Sequence, residues 1–303
     1  MRRAVGPITT MISCADRLEP GRVTRIDRPS PRVFHREFVA RRRPVVIAGV
    51  ADRWPAISLW DAGYLKRTLS EMEVPVEVWE RGGPGNDPAD YLRRVRRETM
   101  PLGRFLDLAL GASGQSCSRY LAQYPILKAA PRLLEDIRPP EEYMKAPVLL
   151  PKRLAAGLRL DPALWIGPAG AVTTLHFDST HNLFVQISGV KKVVLIPRDQ
   201  SKFLYYPCRE FGLNLHFSPV DVEHPDPNRH PRFAHATPRE IIMRPGEMLF
   251  IPASWWHYLR ALEPSISLNF WWNTPATLLG PPRHLLYEWR ERIRRSRIRR
   301  NRR

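Results

Sequence analysis

The apolar positions of this chain fall in short runs separated by proline, glycine and polar clusters, and their period changes along the sequence. Ser30-Pro31 pairs an N-cap with a proline at the first helical position, which predicts a helix from Pro31 to about Ala40. Arg41-Arg42-Arg43 suits its C-terminus, and Pro44 stops it. Val45 to Val50 is a β-branched apolar run and predicts a strand. Asp61 stands as a cap before a helix through Gly63 to Leu69, and Val74 to Trp79 alternates as a second strand. Arg81 to Asp90 is rich in Gly, Pro and Asn and reads as a loop. Pro101 to Leu110 fits a short amphipathic helix, Ser118 to Gln123 a strand, and Ile126 to Ile137 a helix ended by Pro139-Pro140.

The second half changes character. Asn182 to Ile187 is a strand, Ser188-Gly189 turns it, and Val190 to Ile196 returns before Pro197, so the segment reads as a hairpin. A long polar connection, Tyr205 to Glu240, follows and is expected to form part of a substrate rim. Gly246 turns the chain into Met248 to Ile251, and Trp255 to Leu259 and Ile266 to Trp272 complete the set. In the last of these, Ser267, Asn269 and Trp271 share a face. Short strands with regularly spaced turn signals, and no internal repeat, predict an antiparallel barrel or jelly roll with helical additions.

Within Leu164 to Lys192, strand geometry puts His176 and Asp178 on one face and Phe177 on the other. An imidazole beside a carboxylate makes two thirds of a facial metal site, and His257, in Trp255-Trp256-His257, is a candidate for the third ligand. Two His and one carboxylate leave coordination positions open, the arrangement of non-haem Fe(II) oxygenases. Alone, H-x-D is a weak signal. Lys191 opens an otherwise apolar strand, and a buried lysine needs a partner. An acidic co-substrate would supply one.

Composition bounds these readings. The 303 residues, 43% hydrophobic with nine Trp, suffice for one large domain. Cys14, Cys117 and Cys208 form neither a disulfide framework nor a Cys-rich zinc site, which points to a reducing, cytoplasmic setting. No apolar run reaches membrane-spanning length. The first 22 residues read as a disordered lead-in, unlike a signal peptide because of Pro7 and a short, polar apolar region; Met11 is an alternative start. The net charge is +18, and Arg290 to Arg303 holds nine Arg against one Glu. Such a basic tail is expected to be solvated or to contact nucleic acid. Leu285, Leu286, Trp289 and Ile293 recur at helical spacing before it, a stripe for docking on the domain or in a homodimer.

Taken together, LWIGPAG, TLHFD, HNLFVQISGVKKVVLIP, RPGEMLFIPASWWHYLRAL and SISLNFWW resemble the JmjC/cupin-like (cupin 8 type) Fe(II)- and 2-oxoglutarate-dependent dioxygenases. The chain is similar to the hypoxia-inducible-factor asparaginyl hydroxylase and to the JmjC arginyl-hydroxylase group. The resemblance is strong over Tyr120 to Asn273, looser over Val23 to Glu80, and absent at the ends. It implies a double-stranded β-helix core over about 117–273 within a domain of 23–279, with an N-terminal α/β extension and a basic C-terminal helix or tail over 280–303.

The resemblance also implies roles. His176, Asp178 and His257 ligate iron, and Lys191 pairs with the distal carboxylate of 2-oxoglutarate. Thr173 and Tyr120 help with hydroxyls, Tyr124 being a nearby competitor of Tyr120. Asn182 and Asn269 flank the co-substrate, and Trp271 covers the pocket. With O₂ as oxidant, the implied activity is hydroxylation of a protein or peptide side chain. The alternatives are a tRNA nucleoside or small metabolite as substrate, or a non-catalytic cupin-like binding protein. Lys192 reads as a solvated neighbour of Lys191, and His181, His216, His224, His230, His235 and His284 receive no role.

Overall fold

The computed structural model describes residues 22–79, 95–110, 119–144, 160–206, 216–274 and 276–277. The expected lead-in up to residue 21, the loop over 81–90 and the basic segment over 280–303 lie outside the described residues.

The first half supplies five strands: β1 (Thr24–Asp27), β2 (Val45–Ala48), β3 (Glu73–Val78), β4 (Arg96–Pro101) and β5 (Arg119–Tyr124). Ser30 caps the first helix as expected, its Oγ accepting from the Val33 amide at 3.3 Å. That helix, Pro31–Phe34, widens into a π-helical turn over His35–Val39. Asp61 caps Ala62–Leu69 through a 2.6 Å bond from the Tyr64 amide, and Leu102–Leu110 forms the amphipathic helix. β1 and β4 went unpredicted. The second is Arg-Arg-Glu-Thr-Met-Pro, an edge strand whose exposed charges erase the apolar signal.

One expected helix is divided. Ile126–Ala129 makes a single α turn, and Pro131–Glu135 continues as a 3-10 turn. Pro131 has no amide proton and pushes Ala130 out of helical backbone, to ψ 75°. Asp136 follows with its side chain buried, accepting from Trp60 Nε1 at 2.8 Å and from the Tyr64 hydroxyl. Asp136→Ala leaves both donors stranded. The expected cost is about 1–3 kcal/mol for each buried donor that water cannot reach, read as a fall in urea midpoint.

The second half supplies β6 (Ala163–Gly167), β7 (Val172–Phe177), β8 (His181–Ser188), β9 (Lys191–Ile196), β10 (Arg239–Met243), β11 (Met248–Ile251), β12 (Trp256–Ala261) and β13 (Ser265–Trp272). They divide between two sheets. The major sheet runs β1-β2-β11-β8-β13-β6-β5-β3-β4, and the minor sheet runs β10-β9-β12-β7. This is the jelly-roll, cupin-like core with its N-terminal α/β extension.

The expected hairpin is not formed. β8 pairs with β11 and β13, whereas β9 pairs with β10 and β12 in the other sheet. The turn at Ser188-Gly189 carries the chain across the sandwich. Gly189 has φ +71°, and a side chain there would collide with the Pro264 carbonyl. Both strands are buried along nearly their whole length on both faces, so their pattern contains no instruction to pair with each other.

β13 shows how the layers are arranged. Leu268, Phe270 and Trp272 join Phe34, Trp60 and Phe105 in the core between the major sheet and the helices. Ser267 and Asn269, on the opposite face, are also buried. They look into the gap between the two sheets, where a polar cavity is built.

Candidate metal and co-substrate site

A cavity of about 520 Å³ opens between the sheets. Its metal-type corner lies on the minor sheet. His176, at the end of β7, stands directly opposite His257 on β12, and the two rings are 4.1 Å apart between centroids. Asp178 lies one residue beyond the end of β7, so the strand expected to hold it stops at Phe177. It is placed by its neighbours. Its carbonyl accepts from the Ser254 amide at 2.7 Å, with Ser254 in left-handed backbone at φ +68°, and its Oδ2 accepts from Trp271 Nε1 at 3.0 Å.

One donor atom from each of His176, Asp178 and His257 lies within 4.8 Å of the other two. The Nδ1 atoms settle which ring nitrogen is free. His176 Nδ1 is 2.7 Å from the Thr174 carbonyl and His257 Nδ1 is 3.0 Å from the Trp255 carbonyl. A carbonyl can only accept, so each Nδ1 carries the proton and each Nε2 turns a lone pair inward. Burial and the adjacent His257 push the His176 pKa down to about 4, so it is neutral at ordinary pH. Two inward lone pairs and a carboxylate, with both imidazoles held by backbone carbonyls, fit a divalent cation of the iron class.

Trp271 therefore does more than cover the pocket, because it orients the carboxylate ligand. Trp271→Phe keeps the ring area and removes the N–H. Loss of such an outer hydrogen bond is expected to weaken metal binding by about tenfold, measured by titration with Mn(II).

The other end of the cavity is built around Lys191. This side chain is 3% exposed, donates to Ser267 Oγ at 2.8 Å and lies 5.6 Å from the centre of the Phe184 ring. Among the described residues no charge counters the cost of its burial, and its pKa falls to about 7. A buried ammonium served by one hydroxyl is a receptor for an anion. Asn182 and Asn269 are bonded to each other at 3.0 Å across β8 and β13. Tyr120, on β5, bonds Thr173, and burial raises its pKa. Gly167 makes room for it, since a side chain there would meet the Tyr120 ring. Tyr124 points elsewhere, its hydroxyl bonding the Glu73 carbonyl.

All nine expected site residues thus line one cavity. Several others were missed. Ser267 was seen only as sharing a face with Asn269. His216 and Phe217 wall the metal corner, Phe217 forming an isolated bridge to His176. Glu77, 7% exposed on β3, and Trp165 line the same space. His181, at the start of β8, and His230, in a loop, are both buried. Lys192 is not a solvated neighbour. It faces away from the cavity and pairs with Glu223 at 3.3 Å and Glu240 at 3.2 Å. Among the described residues no helix is long and apolar enough to cross a membrane.

Residues 31–278 match the family model described as a cupin-like domain. The chain is 35% identical over 245 residues to "Lysine-specific demethylase 8" of Xenopus tropicalis, covering 81% of this chain and 51% of that protein. It is 28% identical over 268 residues to "Jumonji C domain-containing protein 5" of Drosophila melanogaster, covering 88% and 62%. It is 28% identical over 266 residues to the human "Bifunctional peptidase and (3S)-lysyl hydroxylase JMJD7", covering 81% and 82%. The first two relatives are thus matched over half to three fifths of their length. On these matches, with two sheets enclosing a His-Asp-His cluster, the chain belongs to the cupin-like domain family, on its JmjC side.

Proposed function

We propose that this chain is an Fe(II)- and 2-oxoglutarate-dependent dioxygenase that hydroxylates a protein or peptide side chain. The observation that carries the reading is Lys191, a buried lysine with no counter-charge among the described residues, facing the same cavity as a His-Asp-His cluster. His176, Asp178 and His257 would hold the iron. Lys191 and Ser267, with Tyr120 and Thr173 in the same cavity, would hold the distal carboxylate of the co-substrate. When bound, the pair supplies oxidative decarboxylation of the 2-oxo acid by O₂ and insertion of one oxygen atom into a substrate C–H bond. The protein orients the reactants and excludes water. Trp271 fixes Asp178, and the backbone carbonyls keep both imidazoles turned inward.

A basic substrate side chain is the favoured target. The names printed for two of the relatives refer to lysine. The names also favour a second reading, removal of an N-methyl group, in which oxidation of the methyl carbon ends in release of formaldehyde. The test is incubation with Fe(II), 2-oxoglutarate and basic peptides, with and without methylation. Succinate and a stable gain of one oxygen support hydroxylation, while formaldehyde supports demethylation. Absence of succinate with every substrate would leave a non-catalytic cupin-like binding protein. Nucleic-acid contact through the Arg-rich tail and a homodimer through residues 285–293 stay within the proposal. Deleting Arg294 to Arg303 is expected to spare turnover and to weaken salt-dependent RNA or DNA binding.

A further inference from the structure

Behind the strands that carry Lys191 and His257, on the face of the minor sheet turned from the cavity, lies an ion cluster that the site does not use. Lys192 follows Lys191 on β9, and Tyr258 and Arg260 share the outer face of β12. Lys192 and Arg260 are direct cross-strand partners. Two cations so placed repel and would loosen the pairing of these two strands.

A single carboxylate answers both. Glu223 Oε2 accepts from Arg260 Nε at 2.9 Å and from the Tyr258 hydroxyl at 2.9 Å, and its Oε1 lies 3.3 Å from Lys192 Nζ. The Glu223 side chain is 10% exposed, whereas that of Glu240, the other acid on Lys192, is 63% exposed. Both acids reach Lys192, and Glu223 is the one shielded from water that also holds Arg260.

Glu223 also belongs to the segment that closes the metal corner. The His216 carbonyl accepts from the Phe177 amide at 3.0 Å, and the Ser218 amide donates to the Leu175 carbonyl at 2.9 Å. The segment therefore runs along the free edge of β7 with His216 and Phe217 in the cavity wall. Ser218 and Val220 are buried beneath it, and Glu223 then reaches over the sheet to β12 and β9.

We propose that Glu223 is a positioning residue: from outside the cavity it neutralises the Lys192–Arg260 pair, keeps β9 and β12 in register, and so fixes where Lys191 stands relative to His257 while seating the His216–Phe217 wall. The idea rests on the proposed use of Lys191 and the metal triad, but its test does not rest on turnover alone.

The variants are Glu223→Gln and the double substitution Glu223→Gln with Lys192→Gln. The amide oxygen of the first still accepts from Tyr258 and Arg260 but carries no charge. Two quantities are read on each full-length protein: Mn(II) affinity by equilibrium dialysis, and the KM for 2-oxoglutarate with kcat separated from it. Glu223→Gln is expected to weaken Mn(II) binding and to raise KM by roughly three- to tenfold each, the range of off-site coupling. Removing the Lys192 charge as well is expected to recover most of both losses. A role in packing alone would not be rescued by a second lost charge. Unchanged Mn(II) affinity and KM in Glu223→Gln, or losses that Lys192→Gln does not recover, would overturn the proposal. If the wild-type chain forms no succinate, the function reading fails and the Mn(II) arm still decides the role of Glu223.

Discussion

His176→Ala and Asp178→Ala proteins are expected to fold, to lose their metal and to form no succinate. Each substitution removes one of three donors that converge within 4.8 Å, and the remaining pair cannot hold a divalent ion against water. The fold survives because both side chains border a cavity and are only partly buried. Nor does either anchor the large apolar clusters on the two sheets. Removing one of several mutually facing electron-pair donors also relieves repulsion in the metal-free protein. Thermal midpoints are therefore expected to change little, while bound Mn(II), counted by dialysis, falls to background. Full activity in either variant would refute the ligand assignment.

Lys191→Ala is expected to raise the 2-oxoglutarate requirement about ten- to a hundredfold, the equivalent of roughly 1.5–3 kcal/mol for a charge-assisted hydrogen bond. An unchanged requirement would place the co-substrate elsewhere. Arg260 is no substitute, because it lies on the outer face of the minor sheet with Glu223.

The same lysine predicts a pH signature. Its pKa is about 7 in the folded chain, against about 10.4 in a model peptide. Between those values the unfolded chain binds more protons than the folded one, so this group makes stability rise with pH across that window. Below about 7 both states carry the proton, and the full cost of burying the charge is present. An anion bound beside Lys191 raises its folded pKa again. Binding of 2-oxoglutarate to the Mn(II)-loaded protein at pH 8 to 9 is thus expected to take up a proton. Calorimetry in buffers of different ionisation enthalpy measures that uptake, and the Lys191→Ala protein should show none from this source.

Local rules were sufficient for much of the molecule. Ser30 and Asp61 announce their helices because a cap is a contact within three residues, and both caps are present. The alternation of Ser267, Asn269 and Trp271 against Leu268, Phe270 and Trp272 describes a strand with a core face and a polar face, and β13 has both. Proline cut the helix expected after Ile126 for an equally local reason, which the apolar period had hidden.

The site depended on two kinds of information. His176, Asp178, Lys191 and Asn182 sit close together in sequence, and their residue types disclosed the chemistry before any fold was known. His257 was a candidate by type, but its place opposite His176 is a β7–β12 pairing across some eighty residues. Only tertiary structure could put Ser267 under Lys191, the Trp271 N–H on Asp178, or Glu77 and His216 in the cavity wall. It also separated β8 from β9, which the sequence presents as natural hairpin partners. A strand buried on both faces does not encode its neighbour, because apolar side chains pack against either sheet equally well. The neighbour is chosen by the turn at Gly189, by closure of the two sheets, and by burial of the polar groups that face the cavity. What the sequence determined by itself was the set of chemical groups. The tertiary structure decided which of them meet.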